Sequence, residues 1–422
     1  MRATRPASSE GDSTSEAGRR GAWASRRLAG STSFLALMTA GYAIYAVDRT
    51  VLASVLAPLS AALSLSDSQV GLISAAQYIG VTAVVFLAGH LSDRYGRWPV
   101  ILTGVAVFTS FTWLMGTATS FSQAFVYRLV SGFGEGAFWP VAMASVAGRF
   151  GGKKGLALGT FYVGFDAGSI AGVSIGGVAY SVLGGWSDAF YIAPLVGLPV
   201  IAGLFFARTS FSSIDGEDVR IRLGGDALQL LRKRNILLIM AFALLATWSA
   251  VWQAAFLPYY FFKTMHYTVL SSALLSDLVY LAGGFGKVLI GHASDSRSRP
   301  RILAGVTLAT FLGYGLFFAS ISFAAELAGA LAMGFFSAGI FPVMQSLMSD
   351  SGGGKVGSAL GLSTSAQSVA TIFGPIITAS LFSLGVGSAL ALDAMIPVGL
   401  ACLVSFALAE PRRINRSAQA SL

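Results

Sequence analysis

The sequence predicts an all-α membrane protein of twelve transmembrane helices in two pseudo-symmetric six-helix halves, and three observations predict it. Charged residues are only 11% of the 422 residues, against roughly 25% in an ordinary soluble domain, so a soluble surface of this size cannot be covered. Hydrophobic residues make up 55% and the mean hydropathy is +0.70, with the apolar residues gathered in long runs rather than amphipathic stripes. The third observation is an internal repeat at a displacement of 202 residues, which carries Gly89 onto Gly291. A transmembrane barrel is excluded, because runs such as Val81 to Leu87 and Ile236 to Leu245 are apolar on every side instead of alternating.

Taking about twenty apolar residues per span, the first six helices are expected near 33–57, 69–91, 98–117, 123–147, 156–183 and 189–207. The second six are expected near 235–262, 270–291, 301–321, 325–347, 357–383 and 388–410. This divides the chain into an arm at 1–32, a half at 33–207, a linker at 208–234, a half at 235–410 and a tail at 411–422. The arm is Ser- and Arg-rich, but Glu10, Asp12 and Glu16 argue against a transit peptide, so a disordered tail is expected. All of the 28 Lys and Arg except Arg49, Arg128, Lys263 and Lys287 fall in segments that share one side with both termini. By the positive-inside rule that side is the cytoplasm. A multi-pass protein of the cell's inner membrane, with both termini cytoplasmic, is the expected location.

The repeat superposes Gly89-His90-Leu91-Ser92-Asp93 on Gly291-His292-Ala293-Ser294-Asp295, and Arg97 on Arg299. The same register carries Gly132-Phe133 onto Gly334-Phe335 and Pro140-Val141 onto Pro342-Val343. Two halves of one orientation imply a pseudo-two-fold axis along the membrane normal and a cavity between them, which is alternating-access geometry.

Several function classes drop out. Cys402 is the single cysteine and lies in an apolar run, so there is no thiol metal site or disulfide framework. The three histidines form no i, i+4 pair, and no Walker GxxxxGK[ST] is present. No cofactor or metal is expected, and an enzyme is not. The formal charge of +9 reflects topology rather than a nucleic-acid groove. The expected partners are a small anionic substrate, protons and the lipid bilayer, with the chain a monomer.

Two groups of residues carry chemistry. In the loop from Gly89 to Arg97, Gly89 and Gly96 permit a tight turn, and Asp93, Arg94 and Arg97 can pair with helix ends or charges across the interface as a conformational lock, with Asp295 and Arg299 as its repeat. Solvated loop charges are the plain alternative. Within the spans, Asp48, Arg49, Arg128 and Glu135 are costly, each by roughly 2.5–3.5 kcal/mol at the bilayer centre on insertion scales, so they should face a wet cavity or one another. Arg128 and Glu135 are seven residues apart, about 10.5 Å along one helix face. Asp48 and Arg49 are about 100° apart, so one points into the cavity while the other seeks a neighbouring helix. Their +202 counterparts are Ala250, Val251, Ala330 and Ser337, so the charges are not required by packing alone, although a static ion-pair network is the competing reading.

The loop resembles the Gly-x-x-x-Asp-Arg-x-Gly-Arg signature of the major facilitator superfamily, and the resemblance covers residues 33–410. Arg128 to Gly134 is similar to that superfamily's Arg-x-x-x-Gly-x-Gly element. With Asp48, Arg49 and Glu135 the set resembles the anion:cation symporter branch, and spinster-like lipid transporters share a similar quartet. The resemblance implies the major facilitator fold, a conformational lock at the loop, Asp48 and Glu135 as proton carriers, and Arg49 and Arg128 as partners of an organic anion such as a sugar acid or carboxylate. Gly164, Gly168, Gly172, Gly176 and Gly177 give the fifth helix a smooth packing face. It is also similar to the drug/proton antiporter element, but Val173 replaces the proline.

Asp166 is a further proton-carrier candidate, and Asp166, Asp277, Lys287 and Asp393 could instead snorkel to water. Trp248, Trp252 and Tyr259 on the seventh helix are candidates to flank substrate, against a default of lipid-facing or interfacial aromatics. The expected function is proton-coupled uptake of a small organic anion. A proton-driven exporter of lysolipid-like or drug-like molecules is the alternative, and a non-transporting sensor the third.

Overall fold

The computed structural model describes residues 13–150, 154–208, 225–319, 322–353 and 355–409. The first half contains α1 (Ser13–Ala62), α2 (Asp67–Tyr95), α3 (Arg97–Met115), α4 (Phe121–Arg149) and α5 (Lys154–Leu183). Its sixth span is broken into α6 (Trp186–Ile192), a 3-10 turn (Ala193–Gly197) and α7 (Leu198–Phe206), because Pro194 and Pro199 remove backbone donors there. A short α8 (Gly225–Leu230) precedes the second half: α9 (Arg234–Lys263), α10 (Val269–Asp295), α11 (Arg299–Phe318), α12 (Phe323–Gly352), α13 (Val356–Ser380) and α14 (Val386–Ala409). These match the twelve expected spans to within a few residues at nearly every end. The tail at 411–422 and most of the 208–234 linker lie outside the described residues.

One expectation needs correction. The arm was expected to be disordered, yet α1 begins at Ser13; the Ala and Arg residues of that stretch favour helix. Eleven spans among the described residues are apolar enough to cross a bilayer on hydropathy alone. The twelfth, α4, is long enough at 29 residues, but Arg128, Glu135 and its small polar residues lower its hydropathy.

The repeat is visible in local chemistry. Ser66 caps α2 by accepting from the Gln69 amide, and its +202 counterpart Thr268 caps α10 from Ser271. Ser120 and its counterpart Ser322 cap α4 and α12 in the same way. Each hydroxyl satisfies a donor that a helix start leaves free. Helix crossings repeat as well: a Cβ on Gly132 would collide with the Gln77 carbonyl of α2, and one on Gly334 with the Val279 carbonyl of α10. Gly164, Gly168, Gly172 and Gly176 press α5 against α1 at Thr39, Ala43, Val47 and Ser54, the close approach that small residues allow in membranes.

The apolar core shows how the halves meet. At the end of the bundle away from the termini, one cluster unites Leu56, Val70 and Phe190 of the first half with Phe256, Phe317 and Leu390 of the second. Toward the terminal end the core divides. Phe34, Ile101 and Val146 belong to a first-half cluster, and Ile236, Leu303 and Met348 to a separate second-half cluster. The halves are therefore joined at one end and parted at the other. Gly89, Gly159, Gly357 and Gly361, near the parted end of α2, α5 and α13, face open space.

The α1/α5 crossing predicts a contrast between two glycines of one helix. Gly168→Ala should destabilise by roughly 1–3 kcal/mol, because its methyl meets the Ala43 carbonyl. Gly159→Ala, with nothing within 4 Å, should leave the thermal unfolding midpoint unchanged or raise it.

Candidate functional site

The four membrane charges of the first half converge. Arg49 Nε donates to Glu135 Oε2 at 2.9 Å, and Arg128 Nη1 lies 3.4 Å from Asp48 Oδ1 and 3.0 Å from the Asp48 carbonyl. Gln77 of α2 joins the two pairs: its amide nitrogen donates to Asp48 Oδ2 at 2.9 Å and to Glu135 Oε1 at 2.7 Å, while its carbonyl accepts from Arg128 Nη2. Ser131 and Thr112 also donate to the Asp48 carboxylate. Asp48 is thus enclosed by α2, α3 and α4, and Arg49 is the member that looks into the cavity. The choice that helical geometry left open between them is settled by these partners.

Exposure follows the same division. Asp48, Arg128 and Glu135 are 2%, 3% and 0% exposed, whereas the Arg49 side chain keeps 18%. Its guanidinium lies 4.6 Å from the Tyr45 ring centroid and 4.9 Å from that of Tyr78, a cation–π sandwich that fixes its orientation. The Nε of Arg128 is buried without a partner among the described residues. Arg49, Gln77, Tyr78 and Arg128 line a cleft between the halves, faced from the second half by Ala254, Ala255 and Tyr280. The site offers two guanidiniums, two carboxylates and an opening toward one of the cations.

The second half holds a neutral counterpart. The Tyr314 hydroxyl, which corresponds to Thr112, is 2.9 Å from Ser249 Oγ and accepts from Gln253 Nε2 at 2.7 Å, and Ser337, which corresponds to Glu135, donates to Gln253 at 3.2 Å.

The other candidates are placed elsewhere. Trp252 is buried in an aromatic cluster with Tyr260, Tyr314 and Phe318. Trp248 donates its indole N–H to Asp393 at 2.9 Å, and Tyr259 stacks on Phe382. All three sit within the second half, away from the cleft lining. The charges for which snorkelling was one reading find protein partners on other helices: Lys287 of α10 pairs with Asp166 of α5 across the interface, Ser174 donates to Asp277 at 2.5 Å, and Asp393 also accepts from Thr378.

At the parted end, Gly96 has φ +85° and forms the turn between α2 and α3, a conformation that glycine adopts at no steric cost. Gly89 and Asp93 are exposed and Arg94 stacks on Tyr95; Asp93 makes no ion pair among the described residues. Arg97 is half-buried. Arg299 pairs with Asp350 at the end of α12, within its own half, and the Asp295 side chain lies outside the described residues. Sequence reasoning missed Gln77, Thr112, Ser131 and Tyr78; of these, Gln77 carried a readable signal as an amide inside an apolar span.

Two six-helix halves thus enclose a charged, partly open cleft. The family model of the Major Facilitator Superfamily matches residues 38–325 and again 255–421, and the chain belongs to that family. It is 28% identical over 197 residues to "Multidrug resistance protein 3" of Bacillus subtilis (strain 168), covering 46% of this chain and 38% of that one. It is 24% identical over 375 residues to "Probable anion transporter 4, chloroplastic" of Oryza sativa subsp. japonica, covering 80% of this chain and 62% of that one. The matches therefore span less than two thirds of either relative's length. Among solved structures, a bacterial homologue of the human lysosomal transporter Spinster, inward-facing and unoccupied, superposes with TM-score 0.72 at 16% identity, covering 90% of this chain and 95% of that one. A D-xylose-proton symporter superposes with TM-score 0.70 at 16% identity, covering 89% and 97%. The chain is a multi-pass membrane protein of that superfamily.

Gln77→Leu should lower the stability of the detergent-solubilised protein by about 3 kcal/mol, because it strips a donor from two buried carboxylates and an acceptor from Arg128. Thermal unfolding against wild type measures it. A neutral result would mean that the carboxylates and Arg128 do not depend on the amide.

Proposed function

We propose that the chain takes up a small organic anion, a sugar acid or carboxylate, together with protons across the inner membrane, with its termini in the cytoplasm. The observation that carries this reading is the exposed face of Arg49, held by Glu135 at 2.9 Å on one side and open to the cleft on the other. An arriving carboxylate competes with Glu135 for that guanidinium. If it wins, Glu135 is left buried without its cation, and a proton can take the place of the lost guanidinium. Anion and proton are thereby linked, since each lowers the cost of the other's presence. The unpartnered Nε of Arg128 offers a second donor, and Asp48 is the alternative proton carrier. Asp166, paired with Lys287, is a third candidate that this reading uses only if the first two fail.

Supporting observations come from both comparisons and geometry. The rice relative is named as an anion transporter and is matched over most of this chain. Export of drug-like molecules has its own support in the relative named for multidrug resistance, matched over 46% of this chain, and in the apolar cleft wall of Leu52, Phe165, Ala254 and Ala255. The two readings part in proteoliposomes with an imposed inward proton gradient. Uptake of labelled sugar acids or monocarboxylates supports the first. Gradient-insensitive flux, or efflux of amphipathic drugs alone, overturns it.

The coupling scheme assigns distinct defects to its members. Glu135→Gln, a mimic of the protonated acid, should reduce gradient-driven accumulation by about tenfold or more while sparing anion exchange. Arg49→Lys should be defective in both, because an ammonium reproduces neither the fork geometry nor the stacking between Tyr45 and Tyr78. Full proton-driven accumulation by Glu135→Gln and by Asp48→Asn would remove both carboxyls from the scheme and turn attention to Asp166.

Asp93 is exposed at the parted end in this conformation and is proposed to engage only when that end closes. Asp93→Asn should then slow transport and shift the population toward the form open at that end, while substrate binding persists. Distance measurements between spin labels on α2 and α13 report the shift; unchanged populations and unchanged transport would leave Asp93 as a solvated loop charge.

A further inference from the structure

The repeat that removes the quartet from the second half preserves an aromatic cleft residue. Adding 202 to Gln77 gives Val279, but adding 202 to Tyr78 gives Tyr280. These two tyrosines both line the cleft, one from each half. They are not in equivalent surroundings. The Tyr78 ring packs on the Arg49 guanidinium, whereas the Tyr280 hydroxyl is buried with no hydrogen-bond partner among the described residues. The other second-half residues lining this cleft, Ala254 and Ala255, have no polar side chain. A buried hydroxyl without a partner carries a desolvation cost that a ligand oxygen can remove.

The position of Tyr280 is fixed from both directions along α10. Asp277, three residues before it, accepts from Ser174 of α5, and Lys287, seven residues after it, pairs with Asp166 of α5. Offsets of three and seven return to nearly the same helix face. Tyr280 is therefore held at the interface of the halves by contacts on either side of it, and it lines the same cleft that Arg49 and Arg128 line from the first half.

We propose that the Tyr280 hydroxyl is the second half's hydrogen bond to the transported anion, made to an oxygen other than those held by the arginines. This deepens the anion-uptake reading and rests on it. The substrate chemistry that fits is a carboxylate bearing a further hydroxyl or carbonyl oxygen, able to bridge the two halves. A bare alkyl carboxylate would satisfy the arginines and leave Tyr280 unpaired.

The test uses matched anion pairs, propanoate with lactate and hexanoate with gluconate, as labelled substrates of wild-type proteoliposomes under an inward proton gradient, with uptake counted above that of protein-free liposomes. The oxygenated member of at least one pair should half-saturate at the lower concentration. Tyr280→Phe should raise that concentration about three- to tenfold, leave the plain acid within about twofold, and so collapse the ratio of the pair. Tyr191→Phe, whose hydroxyl donates to the Gly116 carbonyl away from the cleft, should keep the ratio, and thermal unfolding of both variants establishes that they are folded. An unchanged ratio in Tyr280→Phe, or an equal shift of both members, overturns this inference while leaving anion uptake standing. Absence of carrier-dependent uptake of every one of these anions by the wild type overturns the anion reading and this inference together.

Discussion

A guanidinium inside a bilayer must find an anion, and the pairing of Arg128 with Asp48 and of Arg49 with Glu135 is the constraint on which the first half is built. Satisfying those four groups requires α1, α2, α3 and α4 to approach closely enough for short side chains to reach. Gly132 against the Gln77 carbonyl, Gly80 against the Leu129 carbonyl, and Gly134 against Gly104 supply that approach. With the backbones so near, Ser131 and Thr112 can donate to Asp48, and one amide, Gln77, contacts three of the four charges. A larger residue at any of these crossings would push apart helices whose polar contents have no other solvent.

The second half shows what the same scaffold does without that constraint. Its Gly334 crossing is retained, yet Ala250, Val251, Ala330 and Ser337 stand where the charges were. The polar network there is built from hydroxyls and an amide, Tyr314, Ser249, Gln253 and Ser337. Fold and charge are thus separable in this chain: glycine and cap positions carry the architecture in both halves, and the central quartet of charges is added to one. The union of the cores at one end and their separation at the other leaves the charged wall facing a cleft.

Much of this was legible before any coordinates. Span positions followed from apolar runs, the two-half plan from the 202-residue register, and the quartet from the expense of placing ions in hydrocarbon. What was not legible depends on which helices become neighbours. Asp166, Lys287 and Asp277 looked like groups that would reach for water, because their partners lie 121 and 103 residues away on another helix. Trp248 and Trp252 share a helix face by spacing, but spacing does not say whether a face meets the cleft, and here it meets the interior of the second half. Tyr78 could not be told from an interfacial aromatic. Thr112 and Ser131 are ordinary within membrane helices until a carboxylate appears beside them.

The quartet has one further consequence, which concerns the electric field across the membrane. Two arginines and two carboxylates sum to no net charge when both acids are ionised, so moving the group as a unit does no work against a transmembrane potential. A single uncompensated charge would couple its movement to the field by about 2.3 kcal/mol per 100 mV. The unloaded quartet is therefore electrically silent as the halves rock, and voltage acts on it only through what it has bound.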